Sequence, residues 1–393
     1  MMKNKEYFDQ CFTYGNMRKA LNKCCRNVRW KDSVAGYELH AAQNTHTMIE
    51  KIKKGTYKLS PYQRFTIFEP KKREIVATRI SDRQVQMALC EGGLYDDLVE
   101  HFIYDNCACQ KGRGTDFALK RLKIHMLRFY KCYGRDGWVL KCDIHKFFPS
   151  TRHDVAKAAL AKRITDPRAL AMVNDIVDSF DGDTGIGLGS QISQLTELAV
   201  LDDMDHFIKE RLQVKHYVRY MDDFVLIHED KKYLQYCLEE IRKKVEGIGL
   251  TLNEKTTMYP LKQGIKFLQW RFILTTTGGV KMKMAHKKQG KQRRRMRKIA
   301  MREAAGTLEP GTTERSFISW KANAERGDSF FQVKRMKDYY DKLKEEVLTD
   351  GNKSGKTVED RTRCDSGEDA GGSKRGKPRL RRDDGRHRNS YGG

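Results

Sequence analysis

Apolar positions along this chain switch between two periods. Short β-like apolar runs, Arg64 to Phe68, Trp138 to Cys142 and Phe224 to Ile227, are separated by stretches with helical spacing such as Asp154 to Arg163 and Tyr233 to Ile248. Strands interleaved with helices predict an α+β domain rather than a helical bundle. Residues 1–61 carry scattered charge and helical spacing, for example Met48, Ile49 and Ile52, and predict an N-terminal helical extension ahead of an α+β core over 62–280. From Lys281 to Ala300 the chain holds ten Lys or Arg residues and no acid, and the helical pattern continues to about 348, which predicts a basic helical domain over 281–348. Residues 349–393 are nearly devoid of apolar side chains from Gly351 onward. They are expected to form a flexible basic tail, because little burial is available to offset the entropy of ordering.

Composition adds a polyanionic partner to this picture. Among 393 residues, 77 Lys plus Arg stand against 52 Asp plus Glu, a formal charge of +25, while 39% apolar residues suffice for a sizeable core. The sequence contains no apolar run near the ~18 residues a membrane helix needs, and Met1 to Gln10 has no signal-peptide character, so a cytoplasmic protein with no membrane partner is expected. Ten cysteines occur without a C-x-x-C spacing, which argues against a structural zinc site and for unpaired, buried thiols.

The strongest chemical signal is the run His216-Tyr217-Val218-Arg219-Tyr220-Met221-Asp222-Asp223-Phe224-Val225-Leu226-Ile227. An apolar run, two carboxylates and a second apolar run predict a tight β-hairpin with the aspartates at its turn. Adjacent carboxylates repel, so a fold keeps them in solvent or on cations, and the half-buried flanks favour cations. The other Asp-Asp pairs, 96–97, 202–203 and 383–384, read as ordinary acidic turns. Seventy-nine residues before Asp222, the strand-like Trp138 to Cys142 ends in Asp143, which could stand beside the hairpin turn in one sheet. Three clustered carboxylates with no charge partner in view form a hard-oxygen site suited to two Mg²⁺ ions, as in phosphoryl transfer. In a basic protein this suggests a polymerase or a nuclease.

With those residues in place, Tyr220-Met221-Asp222-Asp223 resembles the Y-x-D-D box of reverse transcriptases, and Asp143-Ile144-His145-Lys146-Phe147-Phe148 resembles their first palm aspartate motif. Between them Gly187 to Gln194 occupies the place of the family's Gly-containing loop. Lys71 to Ile75, Asp82 to Gln86 and Gln110 to Thr115 resemble finger motifs, Gly264 to Trp270 the primer grip, and Ser316 to Lys321 a thumb helix. The resemblance implies a right-hand polymerase, with fingers and palm over 62–280 and thumb over 281–348, that copies an RNA template into cDNA from a primer and dNTPs. It implies that Asp143, Asp222 and the Ile144 carbonyl hold two Mg²⁺ ions, for which Mn²⁺ can substitute, and that Asp223 supports them electrostatically. Phe148 would exclude a ribose 2′-hydroxyl, Lys72 and Arg73 would contact the triphosphate, and Leu188, Gly189 and Gln191 would approach the nascent base pair. Lys287, Lys288, Arg293, Arg294 and Arg295 would line the template-primer duplex.

The central loop departs from the family's common Q-G-x-x-x-S-P. Leu188-Gly189-Ser190-Gln191-Ile192-Ser193-Gln194 is similar to the form found in reverse transcriptases of diversity-generating retroelements, which copy template adenines with errors and bind a small helical-bundle accessory protein. Replacing an amide by Leu188 removes a donor and an acceptor near the base pair and leaves discrimination to shape. The implied source is a bacterium or phage. A retron-type or phage-defence reverse transcriptase is the alternative, and a maturase-like RNA-binding protein without catalysis is a further one. After residue 300 the single Cys364 and single His387 leave no set for a Cys/His nuclease domain.

Overall fold

A computed structural model describes residues 6–68, 73–284 and 286–349, so Lys72 and the tail expected over 349–393 fall, but for Thr349, outside the described residues. Their contacts divide into two compact units, residues up to 288 together with 324–330, and residues 289–323 together with those from 331 onward. The α+β class expected from the apolar pattern is the class observed, with helices around antiparallel sheets.

In the first unit, β1 (Gln63–Ile67) and β2 (Arg73–Ala77) form a two-stranded ribbon. A four-stranded antiparallel sheet is built from β3 (Trp138–Asp143), β4 (His216–Tyr220), β5 (Asp223–His228) and β6 (Thr257–Pro260) in the order β4-β5-β3-β6. Three further strands, β7 (Ile265–Phe267), β8 (Trp270–Leu274) and β9 (Val280–Met284), make a second antiparallel sheet, and the basic helix His286–Ala304 begins two residues after β9 ends. Central β5 reads as a continuous apolar run because Phe224, Val225, Leu226 and Ile227 are all buried, as befits a strand covered on both faces.

The N-terminal segment folds as helices for the reason its spacing gives. In Tyr14–Cys25 the buried residues are Met17, Ala20, Leu21, Cys24 and Cys25, one face of a 3.6-residue period, and Met17, Ala20 and Cys11 join the main core. Asp166 ties this segment down. Its carboxylate caps the helix Pro167–Asp178 by accepting from the Arg168 and Ala169 amides, and its other oxygen accepts from the Tyr7 and Phe8 amides at 2.8 Å. Two of the Asp-Asp pairs read as turns lie instead at helix starts. Asp97 is buried and accepts from the amide and hydroxyl of Thr165, and Asp202 is buried against Arg163. A buried carboxylate needs such partners, whereas a turn aspartate can rely on water. Of the nine described cysteines seven are buried, one is half-buried, Cys132 is exposed, and all are free thiols.

The second unit is helical. Glu303 joins its helices by accepting from the amides of Gly311 and Thr313 and from the Thr313 hydroxyl. Phe317 stacks on Tyr340 with ring centroids 4.8 Å apart, and Trp320 is buried in the core.

Candidate active site

The site grows from the register of β3 and β5. Their antiparallel pairing sets Asp143 opposite Asp223, so the last residue of one strand faces the first of the other. Just beyond β3, Ile144 bridges to Leu252, and the two bonds of that bridge run from the Asn253 amide to the Asp143 carbonyl (2.7 Å) and from the His145 amide to the Thr251 carbonyl (2.9 Å). Asp143 and Ile144 are therefore fixed from both sides of the chain.

Strands β4 and β5 are joined by Met221 and Asp222 alone. Met221 takes a positive φ of 56°, a conformation usually given to glycine at the first position of a two-residue hairpin turn. Burial, followed by the negative charges of Asp143 and Asp223, pushes the Asp222 carboxyl up to about 6, and Arg73 acts in the opposite direction. Asp223 is raised by burial as well, opposed by Lys141 and pushed further by Asp143.

Asp223 does have a charge partner, contrary to the reading of the trio as unpaired. Lys141 Nζ lies 3.0 Å from each carboxylate oxygen of Asp223 and donates to the Lys266 carbonyl at 2.7 Å. The strand period explains the pairing, because Lys141 and Asp143 are two apart on β3 and share a face. Among the described residues no three of His, Cys, Asp and Glu are gathered as a ready metal cage. Asp143 and Asp222 nevertheless fit a divalent ion of the Mg²⁺ type. Two mutually repelling, part-buried carboxylates are an oxygen donor pair, and Mg²⁺ characteristically takes one or two carboxylates and completes its shell with water and substrate phosphates.

A stability consequence follows from the raised Asp222 carboxyl. Since the folded value lies above the ordinary 3.8, the unfolded chain holds fewer protons between about pH 4 and 6, and stability falls as pH rises through that window. A divalent ion held by the ionised pair would reverse the loss. Thermal unfolding of the metal-free protein should give a falling Tm from pH 4 to 6.5, with a Mg²⁺-induced rise in Tm above pH 6 that vanishes near pH 4. A Mg²⁺ increment independent of pH would place the ion elsewhere.

Around this pair the remaining chain supplies shape. Phe148 follows Lys146, which takes a left-handed φ of 44°, and is half-buried with its ring 5.8 Å from that of Phe147. Its carbonyl accepts from the Ile186 amide at 2.9 Å, which joins this turn to the loop preceding the central helix. In that loop the Leu188 carbonyl accepts from the Val76 amide of β2 at 3.3 Å, and a Cβ on Gly189 (φ 146°) would come 2.8 Å from the Val76 carbonyl. Glycine is thus required for the approach to β2. Ser190 caps the helix Gln191–Val200 by accepting from the Ser193 amide, so half-buried Gln191 opens that helix beside the ribbon. Arg73 is exposed at the start of β2 and close enough to act on Asp222.

The basic residues are spread differently. In the second unit Arg294 and Arg295 are exposed, whereas Arg293 packs over the Tyr339 ring at 5.1 Å. Lys287 and Lys288 lie in the helix His286–Ala304, but their side chains are outside the described residues.

Three residues not singled out by sequence reasoning belong to the neighbourhood. Lys141 is one. Fully buried Arg219 pairs with buried Asp205. Glu197, on the central helix, is fully buried, is pushed well above the ordinary carboxylate range by burial, and shares a 2.9 Å hydrogen bond with the Thr151 hydroxyl. Arginine inside the apolar run of β4 was the one visible signal, since such a charge needs a buried partner.

Residues 52–272 match the family described as reverse transcriptase (RNA-dependent DNA polymerase). The chain is also similar to Protein YkfC of Escherichia coli, 25% identical, with 41% of this chain and 53% of that protein covered, so the chain spans about half the length of that relative. Among solved structures it is similar to telomerase from Candida albicans in complex with a fragment of telomeric RNA, at 12% identity and a TM-score of 0.44 over 63% of this chain and 51% of that one. Apo telomerase from Candida tropicalis is similar at 12% identity and a TM-score of 0.42, over 60% and 52%.

Proposed function

The chain belongs to the reverse transcriptase family, and from that premise we propose that it is an RNA-directed DNA polymerase, specifically the error-prone enzyme of a diversity-generating retroelement. The single observation that carries the polymerase reading is the register that sets Asp143 opposite Asp223, one residue from Asp222, with Arg73 acting on the same carboxylate. Asp143 and Asp222 would hold two Mg²⁺ ions with help from the Ile144 carbonyl, and the ions would activate the primer 3′-hydroxyl and neutralise charge on the leaving pyrophosphate. Lys141 holds Asp223 in place and offsets its charge. Arg73, with Lys72, would meet the triphosphate, Phe148 would bound the sugar, and the Leu188–Gly189 backbone with Gln191 would bound the base pair. Arg294 and Arg295, with Lys287 and Lys288, would contact duplex phosphates, while Arg293 braces its helix against Tyr339.

The subtype rests on the central loop. Leu188 is held to β2 by its backbone, and its half-buried side chain brings neither donor nor acceptor to the nascent pair. In a cytoplasmic bacterial or phage setting, a small helical-bundle protein would join the template RNA as partner. No helix among the described residues is long and apolar enough to cross a membrane.

Primer extension on an RNA template with four dNTPs and Mg²⁺, followed by cDNA sequencing, tests both levels. Synthesis with errors concentrated opposite template adenines is the expected result. Accurate synthesis would replace the subtype with a retron-type or defence enzyme, and no synthesis with or without the cognate RNA would remove the polymerase reading. The variant Leu188→Gln should lower misincorporation opposite adenine by roughly tenfold, the effect of about 1.4 kcal/mol of regained hydrogen-bond selectivity. An unchanged error spectrum would show that Leu188 only packs.

A further inference from the structure

Arg219 sits on β4 two residues before Met221, and its side chain is fully buried. Its Nε and Nη2 donate to the two carboxylate oxygens of Asp205 at 2.7 and 2.5 Å, and Asp205 is itself fully buried and also accepts from the Tyr217 hydroxyl at 2.5 Å. The third nitrogen, Nη1, donates to the carbonyl of Met221 at 3.0 Å. Nη2 also reaches the Leu198 carbonyl of the central helix at 3.4 Å. The backbone of Arg219 is pinned in turn. Its amide donates to the Asp105 carbonyl (3.0 Å) and its carbonyl accepts from the Cys107 amide (2.9 Å).

Stability alone accounts poorly for this arrangement. Replacing a buried ion pair by apolar side chains of similar volume is often neutral or stabilising, because desolvating two charges offsets much of their attraction. What the planar guanidinium offers that an apolar side chain cannot is a fork of fixed directions. One edge is locked by Asp205, and the remaining nitrogen then points at one carbonyl, that of the residue forced into the left-handed conformation at the turn. Asp222 is the next residue in the chain.

We propose that Arg219, oriented by Asp205, is the positioning residue of the catalytic turn, holding the Met221 carbonyl so that Asp222 meets Asp143 across the metal site. This rests on the polymerase reading and goes beyond it, because neither residue is among those proposed to hold substrate or metal. The Leu198 contact gives the same guanidinium a hold on the helix that begins at Gln191, so the metal-binding turn and the base-pair loop share one anchor.

Two variants of the full chain test this, read by steady-state extension, Mg²⁺ titration and thermal unfolding. In Arg219→Lys one ammonium can pair with Asp205 or reach Met221, but it cannot span both. In the double variant Arg219→Met with Asp205→Leu the buried charges are gone and the volume is kept. Expected for both is a Tm within a few degrees of wild type, a kcat lowered at least tenfold, a dNTP KM within twofold, and a Mg²⁺ half-saturation raised at least fivefold. A folded double variant with wild-type kcat and Mg²⁺ dependence would overturn the proposal. So would loss of fold in both variants, which would make the pair a stability element. Failure of the polymerase reading is distinguishable, because it would appear as an inactive wild type in the same assay.

Discussion

Substituting Asp222→Asn should reduce primer extension by at least about a thousandfold while leaving the fold and RNA binding in place, a loss of about 4 kcal/mol or more of transition-state stabilisation. Asparagine keeps the shape of the side chain and one acceptor oxygen, so the two-residue turn should persist. What it lacks is the charge that, under the proposed function, would draw a divalent ion into a part-buried position beside Asp143. Because burial and two neighbouring carboxylates already push the Asp222 carboxyl up to about 6, the neutral amide should raise Tm slightly in metal-free buffer above that pH. The Mg²⁺-induced increment in Tm should disappear together with the activity. Paired unfolding and extension assays check this, and retained extension with a retained Mg²⁺ increment would require other ligands.

The second large effect concerns the sugar. Phe148 is half-buried, its backbone is bonded to Ile186, and the turn that carries it is closed by the Thr151 hydroxyl at the Phe147 carbonyl. The backbone that carries the ring is thereby fixed, and under the proposed role the ring would meet an added hydroxyl. Phe148→Ala should therefore let ribonucleotides in, with the preference for dNTP over rNTP, expressed as a ratio of kcat/KM, falling roughly a hundredfold, about 2.7 kcal/mol. Extension with dNTPs alone should change far less, and stability should fall by only about 1–2 kcal/mol because the ring is not fully buried. Competition assays with matched dNTP and rNTP read the ratio directly. An unaltered ratio would move sugar discrimination to another residue.

The elements around the site were legible because each is written locally. A strand ending in Asp143 and a hairpin closing on Met221-Asp222 follow from apolar runs interrupted by carboxylates, and the spacing of Met48, Ile49 and Ile52, all buried in the helix Ala41–Lys53, marks a helix without further help. What stayed hidden was pairing across the sheet and between layers. Lys141 could have been placed beside Asp143 by the strand period, but its salt bridge to Asp223 depends on a register that joins residues 82 apart. Asp205 lies in a helix start that reads as one more acidic stretch. Only the tertiary fold brings it to Arg219, and only the complete burial of both makes the pair informative. Glu197 was invisible for a similar reason, since nothing in the run Gln194-Leu195-Thr196-Glu197-Leu198 tells which face of the helix is covered.

The two-residue link between β4 and β5 also limits which changes of length the gene can accept. Side chains on a strand alternate faces, so adding or deleting one residue at 221–222 would shift β5 by one position against β3 and send Phe224 and Leu226 to the face now held by Val225 and Ile227. Asp223 would leave its place opposite Asp143 in the same step. Exposed Asp181 and Gly182, ahead of the bridge that Thr184 makes to Arg152, belong to no strand and carry no such register. Codon insertions and deletions should accumulate there and be purged at the hairpin, so a library scanned by single-codon indels would outline the Asp143–Asp222 turn as a gap in tolerated lengths.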